Sequence, residues 1–357
     1  MDIDTLQSIK LRFIQELFHG KQSQKTCLPF IRHQLSEHSI TDTDELFQVM
    51  VVGGSFYQKA LMKKTTEAIE MISHNEGTQP PFLSEQALMD FLYEHVDPQV
   101  KTIALNFAYP MMPINREGRL DGKLVSGSKE NTFEGLVGQV VGRQIEEFFE
   151  KKCARKVNVS AANDTICLLL SGLMTQPWEN LAAGVVGTGL NFALFLDEFT
   201  AINLEAAEFN KFEQSDAGKI IDQASVAPGS ALIEKEVSGA YLYHHFNIAA
   251  DKLHFNVEKI TSTKEIDDYA KNANHELSLL AKKTLRHSAA FTAIQIAGIL
   301  EFCNRDLTFI MQGSLFWKGY QYKETVAELV KELTPSHHAT FKQIEHSDLY
   351  GAAKLVG

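Results

Sequence analysis

The chain has 357 residues, a length that predicts two domains, and 44% of its residues are hydrophobic, enough for a large core. Its formal net charge of −11 argues against nucleic acid as a partner, because phosphate backbones are bound by an excess of lysine and arginine. Any phosphate group must therefore be met locally, by backbone N–H groups, by Mg²⁺ or by a single well-placed cation.

The cysteines and the hydropathy pattern bear on the cellular setting. The four cysteines lie far apart without C-x-x-C spacing, so neither a zinc site nor a disulfide framework is expected. This usage favours a reduced, cytoplasmic location. No run approaches the roughly 18 apolar residues of a membrane span, and we therefore expect no membrane partner.

The first 110 residues predict a helix followed by strands. The first twenty residues form an amphipathic helix that Gly20 is placed to end. Strand-like runs over 46–52 and 57–62 flank a turn at Gly53-Gly54-Ser55, which predicts a hairpin, with a third strand over 67–73. Ser84 is expected to cap a helix, and 102–109 has the composition of a buried strand.

The middle of the chain repeats the strand–turn–strand arrangement. Apolar residues recur at helical spacing over 133–149, and a short strand is predicted at 156–160. Strands at 183–186 and 192–196 flank the turn Gly187-Thr188-Gly189, and a third strand follows at 201–204. Two such units indicate an internal duplication. Later segments predict helices at 284–301 and 322–333, a strand at 307–311, and a last helix beginning near Tyr350.

The glycine turns and one polar tripeptide are the first candidates for chemistry. Glycines let backbone N–H groups approach phosphate oxygens, although either turn alone is more often a plain hairpin device. Asn163-Asp164-Thr165 places an amide and a carboxylate between a strand and an apolar helix. A helix N-cap explains this tripeptide equally well, because Asn and Asp are preferred at that position.

An ordered series of short motifs runs along the chain. Its strongest part is Ala162–Thr165 before an apolar helix, Val186–Asn191, Ile202–Glu205, and Ala227–Gly229 followed by Glu234 and Lys235. Weaker members lie at Phe107–Pro110, at Gly122–Leu124 with Ser128-Lys129, at Gln312–Leu315 and at Gly351–Ala353. In content and order this series resembles the signature of the hexokinase family, and the resemblance runs from about residue 46 to the C-terminus.

This resemblance implies an α/β protein with the two-domain actin-like ATPase (ribonuclease H-like) fold and a central cleft. The expected parts are an N-terminal helix and connector over 1–43 that packs on the large domain, a small domain over 44–162, a large domain over 163–345, and a C-terminal helix over 346–357 that returns to the small domain. The implied ligands are a hexose and a nucleotide, with ATP and Mg²⁺ as the cofactors.

The resemblance also implies residue roles. Asp164 is the expected general base for the sugar 6-hydroxyl, and Lys129 holds the hydroxymethyl region and tempers charge near that base. The residues expected to bind the ring hydroxyls are Ser128, Asn163, Asn191, Glu205 and Glu234. The residues expected to contact the nucleotide are Gly53, Gly54, Ser55, Gly187, Thr188, Gly189, Gly313 and Ser314.

The first glycine turn departs from the family pattern D-L-G-G-T-N-F-R. Val51 replaces an aspartate expected to hold Mg²⁺ through water, Phe56 replaces an asparagine, and Gln58 replaces an arginine expected near phosphate. Loss of such a contact can lower the rate about 10²-fold or more. Two hypotheses follow: an ATP-dependent hexose kinase with glucose as the expected sugar, or a catalytically weak or inactive sugar-binding or regulatory homologue.

Overall fold

The secondary structure mixes helices and strands along residues 1–128 and 130–357, the part of the chain that the computed structural model describes. The helices are α1 (Ile3–Lys21), α2 (Glu85–His95), α3 (Val141–Cys153), α4 (Asp164–Ser171), α5 (Asp216–Ala224), α6 (Leu232–Val237), α7 (Leu242–Lys252), α8 (Thr263–Lys271), α9 (Ser278–Cys303), α10 (Ser314–Lys318), α11 (Tyr322–Leu333) and α12 (Ser347–Ala353). The strands are β1 (Ile31–Gln34), β2 (Leu46–Val52), β3 (Phe56–Lys64), β4 (Ile69–Thr78), β5 (Thr102–Phe107), β6 (Met111–Arg116), β7 (Arg119–Leu124), β8 (Asn158–Ala162), β9 (Leu181–Val186), β10 (Leu190–Asp197), β11 (Thr200–Asn203), β12 (Leu307–Gln312) and β13 (Ala339–Lys342).

These elements form two compact units, neither of which is continuous in sequence. The first unit comprises Met1–Phe30, Ala182–Phe192 and Leu204–Lys342. The second unit comprises Ile31–Leu181, Ala193–Asn203 and Gln343–Gly357. The units divide the chain at other positions than the predicted domains, since residues 163–181 fall in the second unit and the connector 31–43 is separated from the N-terminal helix.

The second unit contains a mixed sheet with strand order β4-β3-β2-β5-β8. The β2–β3 pair is the predicted antiparallel hairpin, with Val51 opposite Gln58. Strands β5 and β8 run parallel to β2, so that Asn106 lies opposite Val51 on one side and opposite Ala162 on the other. Ser84 caps α2 as predicted by accepting a hydrogen bond from the Ala87 N–H, an interaction that stabilises such helices by about 1 kcal/mol.

The amphipathic helix predicted over 133–149 is wrong in its first half. Helix α3 begins at Val141. Phe133 has φ of +50°, and Gly135 and Gly138 also have positive φ, so the backbone turns where the apolar spacing predicted a continuous helix. The Phe133 side chain is nonetheless fully buried, in a cluster with Phe82 and Phe107. A buried aromatic residue in a loop therefore produced the same apolar spacing in the sequence as one face of a helix.

The first unit is built around the long helix α9, most of whose side chains are buried. Helices α1, α6, α7, α8 and α11 pack against it. Strands β12 and β13 pair in parallel within this unit, and the sheet to which they belong has the order β1-β11-β10-β9-β12-β13. Across the described residues, no helix is both long and apolar enough to cross a bilayer.

Candidate active site

Gly187 and Thr188 of the second glycine turn, residues 187–189, form part of the wall of a cavity of about 530 Å³ in the first unit. The Gly239 N–H donates to the Gly187 carbonyl oxygen at 2.7 Å, and the Ala240 N–H donates to the Thr188 carbonyl oxygen at 3.3 Å. These bonds tie the turn to the segment that follows α6. Thr188 is exposed to solvent at the cavity.

Glycines on both sides allow this turn to pack closely against the segment at Gly313. A Cβ at Gly187 would lie 3.1 Å from the Gly313 Cα, and a Cβ at Gly313 would lie 2.1 Å from the Val186 carbonyl oxygen. Gly313 also has φ of +109°, a conformation that favours glycine. The structure therefore brings together two segments predicted to contact the nucleotide, and Ser314 lines the same cavity.

The remaining residues of the cavity wall were not predicted from the sequence to bind a ligand. It includes Thr263 and Lys264 at the start of α8, Asp267, Asp268 and Lys271 farther along that helix, and Lys318 on α10. The Thr263 hydroxyl donates to the Gly239 carbonyl oxygen at 2.6 Å, which holds α8 against the turn. Lys271 is paired with Asp267. The pair Thr263-Lys264 at the start of a helix was the only sequence feature that could have indicated these residues. Its position beside the glycine turn arises from tertiary packing.

A group of polar side chains lies on the other flank of the same turn. Glu234, on α6, accepts a hydrogen bond from the Leu190 N–H at 2.9 Å, and its Oε2 would lie 3.1 Å from a Cβ at Gly189. Asn191 accepts a bond from the Ala206 N–H at 3.1 Å, which fixes the bend just after Glu205. The structure thus brings three of the predicted sugar ligands to one glycine turn.

Two features of this group are unusual for surface carboxylates. Glu205 has φ of +48°, a left-handed conformation that costs about 1–3 kcal/mol and is concentrated at functional sites. Burial raises the pKa of Glu234, the Leu190 hydrogen bond opposes that rise, and the charges of Glu205 and Glu208 add to it. Such a concentration of acceptors suits a ligand rich in hydroxyl donors.

Lys235 supports the helix that carries Glu234. Its side chain is 2% exposed, and its Nζ donates to the Asp222 Oδ1 at 2.5 Å and to the Ala227 carbonyl oxygen at 2.9 Å. The Asp222 carboxylate also accepts from the Gly229 N–H at 3.0 Å. The Ala-Pro-Gly loop is therefore anchored on a buried ion pair, and the loop in turn fixes where α6 begins.

The tripeptide Asn163-Asp164-Thr165 lies in the second unit, at the junction of β8 and α4. Asn163 is the N-cap of α4 and accepts from the Ile166 N–H at 3.0 Å, so the capping interpretation holds for this residue. Asp164 is exposed on one side and otherwise surrounded by protein, and its burial raises its pKa, with a further contribution from the charge of Asp348. A carboxyl group with a raised pKa is a suitable proton acceptor near neutral pH.

The first glycine turn is a self-contained hairpin turn. The Gly53 N–H donates to the Phe56 carbonyl oxygen at 3.1 Å. The Gly53 carbonyl oxygen accepts from the Gln79 amide and from the Tyr109 hydroxyl, both at 2.6 Å. Gly54 and Ser55 are exposed, and so is Phe56, at 67%. The turn therefore keeps its shape although it lacks the polar residues at 51, 56 and 58.

The remaining predicted sugar contacts, Ser128 and Lys129, follow β7 in the chain. Ser128 is exposed and forms a two-way backbone bridge with Asn131, whose side chain donates to the Gly54 carbonyl oxygen at 3.0 Å. Lys129 lies outside the described residues. Within residues 1–128 and 130–357, no three or more His, Cys, Asp or Glu side chains gather in a way that could hold a metal ion.

Comparison with known proteins gives relatives that match most of the chain. The hexokinase of Kluyveromyces lactis is 23% identical over 92% of this chain and 82% of its own length, and hexokinase-1 of Arabidopsis thaliana is 22% identical over 86% of this chain and 77% of its own length. The structure of Schistosoma mansoni hexokinase complexed with glucose covers 100% of this chain and 95% of that chain, with a TM-score of 0.79 and 19% identity. No protein-family profile matches the chain. The predicted resemblance and the actin-like two-domain α/β fold are both confirmed.

Proposed function

Because the chain is a divergent relative of the hexokinases, we propose that it is a sugar kinase that transfers the γ-phosphoryl group of ATP to the 6-hydroxyl of a hexose, with Asp164 as the general base. The 6-hydroxyl oxygen attacks the γ-phosphorus while its proton passes to the Asp164 carboxylate, and ADP leaves. We expect glucose to be the sugar and the reaction to take place in the cytoplasm.

One observation carries this proposal: the glycine turn 187–189 has a cavity of nucleotide size on one side and a set of carboxylate and amide side chains on the other. Phosphoryl transfer needs a donor and an acceptor site that meet at the transferred phosphate. The turn supplies backbone groups at that junction. Glu205, Glu234 and Asn191 are suited to hydrogen-bond ring hydroxyls. A sugar that lacked one of these hydroxyls would leave the corresponding side chain without its hydrogen-bond partner.

The charges of the cavity support a nucleotide as the donor. Lys264 and Lys318 line it, and each offers an ammonium group for a phosphate oxygen. When bound, Mg²⁺ would neutralise part of the phosphate charge. Lys129 stays a proposed contact to the hydroxymethyl region.

The test of the base is Asp164→Asn, which preserves the shape of the side chain but removes its basicity. We expect phosphorylation to fall by about 10²–10⁴-fold, because a general base contributes a factor of that order. Sugar-induced thermal stabilisation should persist. Asp216→Asn is the matched control, since Asp216 is likewise the first residue of a helix but its carboxylate is exposed and paired with Lys252. Turnover retained by the Asp164 variant would remove it as the base.

A second function is favoured by the first glycine turn, where Val51, Phe56 and Gln58 replace polar residues. In this alternative the chain binds sugar, or regulates another protein, without turnover. A coupled assay with glucose, ATP and Mg²⁺ separates the two. Robust turnover excludes the binding-only alternative, whereas stabilisation by glucose without turnover supports it.

A further inference from the structure

The turn that carries Glu205 is held by side chains from two distant parts of the first unit. Glu205 has φ of +48° and ψ of +51°, in the left-handed region. The N–H of the next residue, Ala206, donates to the Asn191 Oδ1 at 3.1 Å, and the Ala206 carbonyl oxygen accepts from the Gln295 Nε2 at 3.1 Å. The two peptide groups that flank the Ala206 Cα are therefore both bound by side chains.

The same turn, residues 205–208, is linked to helix α6. The Glu208 carboxylate accepts from the Ala231 N–H at 3.2 Å, and Ala231 is the residue directly before α6. Helix α6 also packs against the turn. Glu234 lies in the first turn of that helix. The positions of both carboxylates proposed to bind sugar, Glu205 and Glu234, thus depend on the 205–208 turn.

Gln295 is an unusual residue for its place in the fold. It lies in the middle of α9, is fully buried, and stands between Ile294 and Ile296, which are also fully buried. Its Oε1 has no hydrogen-bond partner among the described residues. A buried amide with an unpaired oxygen costs stability, and an apolar side chain of similar shape would avoid that cost. The packing of α9 therefore gives no reason for an amide here, whereas the bond to the Ala206 carbonyl oxygen does.

We propose that Gln295 is a positioning residue for sugar binding, which holds Glu205 in its left-handed conformation through the Ala206 carbonyl oxygen and thereby sets the affinity for the hexose. The inference rests on the proposed sugar site. Left-handed conformations of residues other than glycine persist only where the surrounding structure holds them. A turn that is already fixed before the sugar arrives does not have to be ordered by binding, and this raises affinity.

The test is Gln295→Met, which removes the amide and keeps an unbranched side chain of similar length. The unfolding temperature of the sugar-free protein should stay the same or rise, because the unpaired oxygen is gone. Calorimetric titration should show glucose binding weakened about five- to tenfold, the factor that corresponds to one lost hydrogen bond. Binding of a non-hydrolysable ATP analogue should be unchanged. An unchanged glucose affinity, or an equal loss for both ligands, overturns the proposal.

The matched control is Thr292→Val, at another fully buried polar residue of α9. The Thr292 hydroxyl lies 2.9 Å from the Tyr322 hydroxyl and has no bond to the 205–208 turn. This substitution should lower the unfolding temperature and leave the glucose affinity unchanged. If it weakened glucose binding as much as Gln295→Met does, the effect would be a general loosening of α9, and the positioning role would be lost.

A double-mutant cycle tests whether Gln295 acts through Glu205. Glu205→Ala removes the carboxylate, so Gln295→Met should weaken glucose binding little further in that background. Residues that act through one another have non-additive effects, whereas independent residues have additive ones. A full five- to tenfold loss from Gln295→Met in the absence of the Glu205 carboxylate contradicts the proposal.

Hydrogen exchange of the wild type covers the case in which Gln295→Met does not fold. The Phe209 N–H donates to the Ala206 carbonyl oxygen at 3.2 Å and should exchange slowly with or without glucose, because the turn is formed before the sugar binds. Fast exchange that glucose slows would show that the sugar orders the turn. Failure of the kinase function has a different signature. A chain that loses glucose affinity in Gln295→Met but never phosphorylates glucose keeps the positioning role, whereas a kinase whose sugar KM is unchanged in this variant does the reverse.

Discussion

Glu236 is a fully buried carboxylate two residues beyond Glu234, and its environment shows how the segment proposed to bind sugar is held. It accepts hydrogen bonds from the Ser215 N–H at 2.8 Å and from the His287 ring at 2.7 Å. Burial alone would raise the pKa of Glu236, but the bonds and charges of His287, the charge of His245 and the Ser215 hydroxyl outweigh it and lower the pKa below the ordinary 4.5. Helix α6 is thereby fixed to α5 and α9.

Glu236→Gln should lower the free energy of unfolding by about 1.5–3 kcal/mol at neutral pH, the range for hydrogen bonds to a charged group. A carboxyl group with a depressed folded pKa stabilises the fold above its unfolded pKa, and that contribution is lost as the pH falls through the folded value. The difference between wild type and variant should therefore shrink below about pH 4.5. Urea unfolding across this pH range measures this difference in the free energy of unfolding, with Glu213→Gln, a substitution at an exposed side chain, as the control. A difference that does not depend on pH would contradict the assignment.

Elements whose cues are local could be predicted from the sequence. The 46–52 strand and the 322–333 helix have the predicted bounds, because the apolar run of the strand and the helical spacing of the helix are continuous there. The hairpin β6–β7 and helices α5 to α8 were not predicted, and the 133–149 helix began too early because Phe133 is buried from a turn. Lys264 and Lys318 could not be assigned to the cavity, since their proximity arises from packing between distant segments. The roles of Asn191, Glu205 and Glu234 stay predictions.

The contact between α4 and α12 depends on one glycine. Gly351→Ala should destabilise the protein by about 1–3 kcal/mol or more, because the added methyl group meets the Cys167 backbone and the helices must separate. Separation would also shift α4, whose first residue is the proposed base Asp164, so phosphorylation should fall even at temperatures where the variant is folded. Thermal unfolding and turnover measured together test both expectations. Glu345→Ala, at an exposed position just before α12, should change neither. Wild-type stability in Gly351→Ala would show that this contact is looser than described.

At the scale of the whole molecule, the net charge of −11 opposes an anionic nucleotide, so binding must depend on local cations. Lys264 and Lys318 are such cations in the 530 Å³ cavity, whereas the carboxylates near the glycine turn are proposed to bind an uncharged sugar. Sugar and nucleotide binding should therefore respond to different substitutions, although both ligands stabilise the same folded chain.

A ligand that binds only the folded state raises the free energy of unfolding by about 2.7 kcal/mol at a concentration of 100 Kd. Glu234→Gln should reduce the stabilisation by glucose, because the proposed sugar contact uses the carboxylate that also accepts the Leu190 hydrogen bond. The stabilisation by a non-hydrolysable ATP analogue should be unchanged. Lys264→Gln should weaken binding of the ATP analogue about tenfold, or about 1.4 kcal/mol, and leave the stabilisation by glucose unchanged. Lys252→Gln, an exposed surface lysine, is the control. Differential scanning fluorimetry with each ligand measures all three variants. If both substitutions weakened both ligands equally, the two flanks of the glycine turn would not be separate sites, and the arrangement from which a kinase was inferred would be lost.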